Sequence, residues 1–93
     1  MAELSEKASR YRRLLSDAVD SVEVVDDSDE AEEFLGLASS YLEDGENFLE
    51  QGDEVNALAA FSYGHAWLDA GARIGIFSVP RDSELFTVDP ESA

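Results

Sequence analysis

The sequence predicts an all-α fold: a three-helix up-and-down bundle with a short C-terminal extension. Three observations predict it. Apolar residues recur at helical spacing in three separate segments. The connection "QGD" between the second and third segments is short enough to force antiparallel helix neighbours. A chain of 93 residues with 44% hydrophobic content has the size and core of one domain, expected over residues 1–88 with a frayed tail at 89–93.

The first helix is predicted over about residues 3–22. Leu4, Ala8, Tyr11, Leu15, Ala18, Val22 and Val25 alternate in steps of four and three, a seam that packs along other helices. Leu14 and Val19 widen it. Lys7, Arg10, Arg12 and Arg13 lie on the same segment and hold four of the six basic residues. They read either as a small basic patch or as ion-pair partners of the acidic second helix, and exposed pairs of that kind are common.

"DSVEVVDDSDE" breaks the helix and is expected to form a loop. Asp27 with Glu30 three residues later resembles a capping box, and acidic residues suit the positive end of the next helix. The Asp27–Asp29 spacing begins like a calcium loop, but Glu32 stands where such a loop requires Gly, which excludes it.

The second helix is predicted over about residues 28–51. Ala31, Phe34, Leu35, Ala38, Tyr41, Leu42, Gly45, Phe48 and Leu49 form one stripe. Glu43, Glu46, Asn47 and Glu50 take another face, and carboxylates on one exposed helix without a nearby His read as solvation, not as a metal site. Gly52 is expected to end this helix as a left-handed cap, and Asp53 to begin the next.

The third helix is predicted over about residues 54–76. Leu58, Phe61, Leu68, Ala72 and Ile76 form an apolar line, with Ala57, Ala60, Gly64, Gly71 and Gly75 beside it. Tyr63, Trp67 and Ile74 close the far edge. More than half the circumference is apolar, so this helix is expected to be the most buried. Its glycines weaken it by about 1 kcal/mol each in propensity. Close approach of a neighbouring backbone along the Gly64–Gly71–Gly75 line would compensate. Pro80 stops the helix, and "ELFTV" is expected to be extended and to fold back on the bundle.

Composition narrows the function classes. With no cysteine the chain has no disulfide, no thiolate chemistry and no Cys-type zinc site. No window approaches a membrane span of about 18–20 apolar residues, and no signal peptide is evident, so a cytoplasmic protein is expected. The net charge is −16, from 22 acidic and 6 basic residues. Spread over every segment, this acidity reads as adaptation to molar salt, where the Debye length falls to about 3 Å. The alternative is an acidic surface for a basic partner. Nucleic-acid binding is disfavoured because a backbone-binding surface needs clustered Lys and Arg.

Two groups on the third helix are candidate binding residues. His65, Asp69 and Arg73 are spaced four apart. A carboxylate can orient a His as a general base and an Arg can hold an anion. The simpler reading is an ion-pair ladder along a solvated helix edge. No Ser or Cys nucleophile is obvious, although Ser62 lies three residues before the His, and no catalytic residue, metal or cofactor is assigned. Tyr63 and Trp67, also four apart, read either as aromatic anchors for a partner or as core filling against the first helix. The expectation is a non-enzymatic interaction module that binds a protein partner or itself. The alternative is a small-ligand or RNA-processing site at His65, Asp69 and Arg73.

Two resemblances add to this reading. Tyr41, Gly45, Phe48, Ala57, Phe61 and Gly64 fall at the spacing of a tetratricopeptide helix pair, although Asp44 and Asp69 depart from that pattern. A single unit cannot stack, so the likeness implies a hairpin geometry and not a solenoid. The stretch "FLEQGDEVNALAAFSYGHAWLDAGARIGIF", followed by "LFTV", resembles an archaeal family of short helical proteins of unknown function. That resemblance spans about residues 42–88, with the first helix similar only in pattern. It implies a closed three-helix bundle in an archaeal cell, and no activity.

Overall fold

The computed structural model describes residues 2–25 and 28–79. Three helices, α1 (Ala2–Ser21), α2 (Asp29–Glu50) and α3 (Glu54–Arg73), pack together. Two short strands, β1 (Glu23–Val24) and β2 (Phe77–Ser78), join their ends. The up-and-down order follows from the contacts. Ser5 Oγ donates to Glu54 Oε1 at 2.6 Å, which sets the N-terminal ends of α1 and α3 side by side. The chain therefore runs up α1, down α2 and up α3.

The core sits where α3 meets both other helices. Phe61, Leu15 and Leu68 are its largest fully buried side chains, surrounded by Ala18, Ala31, Ala38 and Ala57. Fully burying a side chain such as Phe61 contributes about 1.5–3 kcal/mol. Among the described residues no polar or charged residue is buried. The predicted stripes on α1 and α2 face this core, and α3 holds the most buried residues, as its width suggests.

Glycines at the α2–α3 contact make the hairpin implied by the tetratricopeptide-like spacing. A Cβ on Gly45 would fall on the Phe61 ring. A Cβ on Gly64 would lie 2.8 Å from Leu15 Cδ2, 3.0 Å from Tyr41 Cβ and 3.1 Å from the Ala38 carbonyl oxygen. Only a residue without a side chain admits both neighbouring helices so closely at this point.

The line of small residues on α3 does not serve one purpose, which corrects the sequence reading. Gly64 meets α1 and α2, but Gly71 is the seat of the Phe77 ring, which returns from beyond the helix end. Gly75 lies outside the helix with φ of 84°. The Ile76 amide donates to the Gly71 carbonyl at 2.9 Å and the Gly75 amide to that of Ala72 at 3.3 Å. This is a Schellman cap, so α3 ends at Arg73 and not at Ile76. Gly52, with φ of 78°, closes α2 in the same way, as its position predicts.

The segment after α1 differs from the loop expected of it. Glu23 pairs with Ser78 and Val24 with Phe77 in antiparallel register. The Val25 amide extends the pairing by donating to the Ile76 carbonyl at 2.9 Å. Val25 is consequently off the α1 seam and 60% exposed. The β-branched run Val22, Val24, Val25 suits this extended backbone. Ile76, Phe77 and Val79 then fold back on the core. The predicted "ELFTV" return and the frayed tail lie outside the described residues.

The start of α2 also differs. Ser28, not Asp27, is the N-cap, and its hydroxyl oxygen accepts from the Ala31 amide at 3.2 Å. Asp53 caps α3 as expected, accepting from the Asn56 amide at 3.1 Å. No helix among the described residues is long and apolar enough to cross a membrane.

Candidate functional site

Helix α3 carries every candidate residue, and its neighbours cover only part of it. Helix α2 lies along one flank and α1 along the other. The remaining face turns outward, and the candidate residues fall on both sides of it.

His65 and Asp69 stand one turn apart on the flank towards α1. Nδ1 of His65 lies 3.1 Å from Oδ2 of Asp69, and the two side chains are only 14% and 15% exposed. They are therefore more shielded than the solvated edge expected from the sequence. A carboxylate only accepts, so the proton between them belongs to Nδ1. A carboxylate that fixes the tautomer and orientation of an imidazole serves a structural edge and a general base equally well. Arg73 lies one further turn along, exposed, in the last turn of α3, where a cation suits the negative helix end. Ser62 does not act with His65 here, because its hydroxyl donates to the Leu58 carbonyl at 2.9 Å.

Tyr63 and Trp67 lie on the opposite flank. The Trp67 ring meets Phe34 of α2 edge to face, with centroids 4.9 Å apart and planes at 66°. Core filling against α1, one of the two sequence readings, is thus replaced by contact with α2. An aromatic pair of this geometry contributes about 0.5–1.5 kcal/mol beyond its buried area. Tyr63 leans on Tyr41 with centroids 5.9 Å apart, yet it remains 62% exposed. Trp67 anchors the seam between α2 and α3, and Tyr63 stands at its outer rim.

The sequence reading named Tyr63 and Ile74 on the far edge of α3 but missed the exposed residues beside them. Val55 and Ile74 are 65% and 66% exposed, and Ala59 and Ala66 are exposed between them. With Tyr63 and half-buried Ala70 they make a continuous outward strip at helical spacing. No charged residue interrupts α3 between Glu54 and Asp69, apart from the titratable His65. The outward side of α2 is the opposite, exposing Asp29, Glu30, Glu32, Glu33, Glu43, Asp44, Glu46 and Glu50. The signal for the strip is present in the sequence. The apolar arc of α3 is wider than two neighbouring helices can cover.

Two other expected features take their places on α1 and α2. Arg12 pairs with Glu46 at 3.6 Å across the α1–α2 seam, in line with the ion-pair reading of the basic residues. Glu43, Glu46, Asn47 and Glu50 line an open hollow with Arg12 and Leu49. It is a shallow, solvated surface, and no group of three or more His, Cys, Asp or Glu positioned to hold a metal ion occurs among the described residues.

A family model described as protein of unknown function (DUF357) matches residues 10–77. No curated protein and no solved structure matches the chain. The match begins within α1 and ends on Phe77, so it takes in more of the first helix than the sequence resemblance did and stops short of "LFTV". It contains the α2–α3 hairpin, the Phe77 return and the whole candidate surface, and on that span the chain belongs to the DUF357 family, a family of unknown function.

Proposed function

We propose that this protein is a non-enzymatic helical interaction module, and that the outward strip of α3, with Tyr63 at its centre and Trp67 supporting its edge, is the surface it uses. One observation carries the reading. In a chain of net charge −16, the strip holds Val55, Tyr63 and Ile74, each more than three-fifths exposed, with no charged side chain among them. The largest apolar patch on a small protein is often a functional one. Its cost in solubility is offset by the acidic faces elsewhere, which suit a high-salt archaeal cytoplasm. A nucleic-acid backbone is a poor partner for so acidic a molecule.

The second reading keeps a small-ligand or RNA-processing site at His65, Asp69 and Arg73. It is favoured by the oriented, shielded His65–Asp69 pair. The two readings separate by substitution, in proteins whose helix content is first shown to persist by circular dichroism. Tyr63→Ala and Trp67→Ala should weaken capture of a partner from a host lysate at high salt, whereas His65→Ala should leave it intact. Loss of a measured ligand or turnover in folded His65→Ala protein would instead select the chemical site.

A further inference from the structure

We propose that the groove between α2 and α3, on the side away from α1, takes an amphipathic helix of another protein whose apolar stripe is edged by lysine or arginine. The inference rests on the reading of the α3 strip as the interaction surface and names the chemistry of its partner. The shape of the groove, its floor and its charge support it.

Two antiparallel helices in contact leave a groove on either side of their seam, and each groove accepts the ridge of a third helix. Helix α1 fills one of them. Its Leu15 side chain lies against Gly64 of α3, and its Arg12 reaches Glu46 of α2. The ring contacts mark the other. Phe34 meets Trp67 and Tyr41 meets Tyr63, while Tyr63 stays 62% exposed. Glu46 is turned about 140° from Tyr41 around α2, so the contacts with α1 and with Tyr63 fall on different sides of that helix.

The floor of the open groove is apolar on both walls. Leu37, half-buried, follows Phe34 by three residues and precedes Tyr41 by four, so it shares their flank of α2. Tyr63 and Ile74 face it from α3, and Ala59 and Ala70 keep that wall low. The strip on α3 is therefore one wall of a groove between two helices, the shape in which amphipathic helices dock.

Charge selects which helix. Glu30 precedes Phe34 by four residues and Asp44 follows Tyr41 by three, so both exposed carboxylates stand on the α2 rim of this groove. Neither has an ion-pair partner among the described residues. Between Arg13 and Arg73 the chain has no lysine or arginine at all. The groove occupied by α1 differs, because α1 brings Arg12 to Glu46. A helix with a cationic edge supplies to Glu30 and Asp44 what α1 supplies to Glu46, and a helix with an acidic edge is repelled. At about 1 M salt the Debye length is about 3 Å, so only charges in contact still count. The apolar stripe then holds the partner, and the rim decides between partners.

A set of designed peptides tests this. Each is a helix of the length of α3 with the same leucine and alanine stripe, edged by lysine, glutamine or glutamate. Each is titrated into the isotope-labelled full chain at about 0.2 M and about 2 M KCl, and amide NMR shifts are followed. The lysine peptide should shift the amides of Leu37, Tyr41, Tyr63 and Ala70 and leave those of α1 unchanged. The glutamate peptide should bind at least about tenfold more weakly at the lower salt. Glu30→Gln with Asp44→Asn should weaken the lysine peptide by about threefold to tenfold. Glu32→Gln with Glu50→Gln removes the same charge from exposed positions on the other flank of α2 and should change binding by less than about twofold. Circular dichroism first shows that both double variants keep their helix content.

Equal binding of the three peptides overturns the cationic edge and leaves the groove as a docking site. Shifts spread over α1, or equal weakening by the two double variants, would mean general attraction to an acidic protein and overturn the inference. If no peptide reaches the groove but Tyr63→Ala still releases a protein captured by the wild type, the amphipathic helix is wrong and the interaction surface stands. If no peptide reaches the groove and Tyr63→Ala releases nothing, both are wrong.

Discussion

Gly36 and Gly45 occupy the same helix and face opposite surroundings. A Cβ on Gly36 would meet nothing within 4 Å, while one on Gly45 would enter the space of the fully buried Phe61 ring. The same substitution should therefore change stability in opposite directions. Gly36→Ala removes only the backbone-entropy penalty of a helical glycine and should stabilise the protein by about 0.5–1 kcal/mol. Gly45→Ala gains that too, but displaces Phe61 from a packed site at a cost of about 1–3 kcal/mol, so the net effect should be a loss. Urea denaturation of both variants checks the signs. If Gly45→Ala proves as stable as Gly36→Ala, the α2–α3 contact is looser than the ring position requires. His65 teaches the same lesson. Its spacing to Asp69 predicts the ion pair, but the shielding of that pair depends on what packs beside it.

The element most dependent on a distant partner is the β1–β2 pair. Two residues per strand cannot hold themselves, since isolated two-stranded ribbons are marginal even when longer. What holds this one is Phe77, 3% exposed, seated on Gly71. The ribbon in turn ties the C-terminal end of α1 to that of α3. Phe77→Ala should cost about 3–5 kcal/mol and should release the ribbon first. Hydrogen exchange reports this directly. The Val25 amide, bonded to the Ile76 carbonyl, should lose its protection in the variant before amides in the middle of α3 do. Equal loss everywhere would mean that the ribbon and the bundle are one cooperative unit. Helix α2 offers a smaller test at its start. Ser28→Ala removes the oxygen that accepts from the Ala31 amide and should lower stability by about 1 kcal/mol in the same denaturation assay.

For the whole molecule the governing quantity is its charge. With 22 acidic and 6 basic residues, folding brings like charges together, and the Arg12–Glu46 pair, half-exposed on both sides, offsets little of that repulsion. Stability should rise with salt. Thermal melting followed by circular dichroism should show a melting temperature higher by roughly several degrees at about 2 M KCl than at about 0.05 M. An unchanged melting curve would remove the salt-adaptation reading and leave the acidic faces to be explained by a basic partner. The melting shift belongs to the single chain and should be independent of protein concentration at dilution. Any stabilisation through self-association should grow with concentration.

The sequence by itself determined the number of helices, their stripes, the short hairpin between α2 and α3, and the left-handed stop at Gly52. These are local properties: periodicity, turn chemistry and connection length act within a few residues. The pairing of Tyr63 and Trp67 on one flank and of His65 and Asp69 on another was legible for the same reason, since residues four apart on a helix share a side. Only the tertiary structure decided which neighbours those sides meet. It brought Phe34 to Trp67, gave Gly71 to the Phe77 ring, set Glu23 and Val24 in a strand against Ser78 and Phe77, and left Val55, Tyr63 and Ile74 facing outward. Helical spacing states that residues share a face, but not whether another element covers it. The apolar arc of α3 is wider than its two neighbours, and the sequence left open whether its aromatic edge was covered or presented to a partner. Which part remained uncovered depended on where α1 and α2 came to rest, and that is set by contacts between residues far apart in the chain.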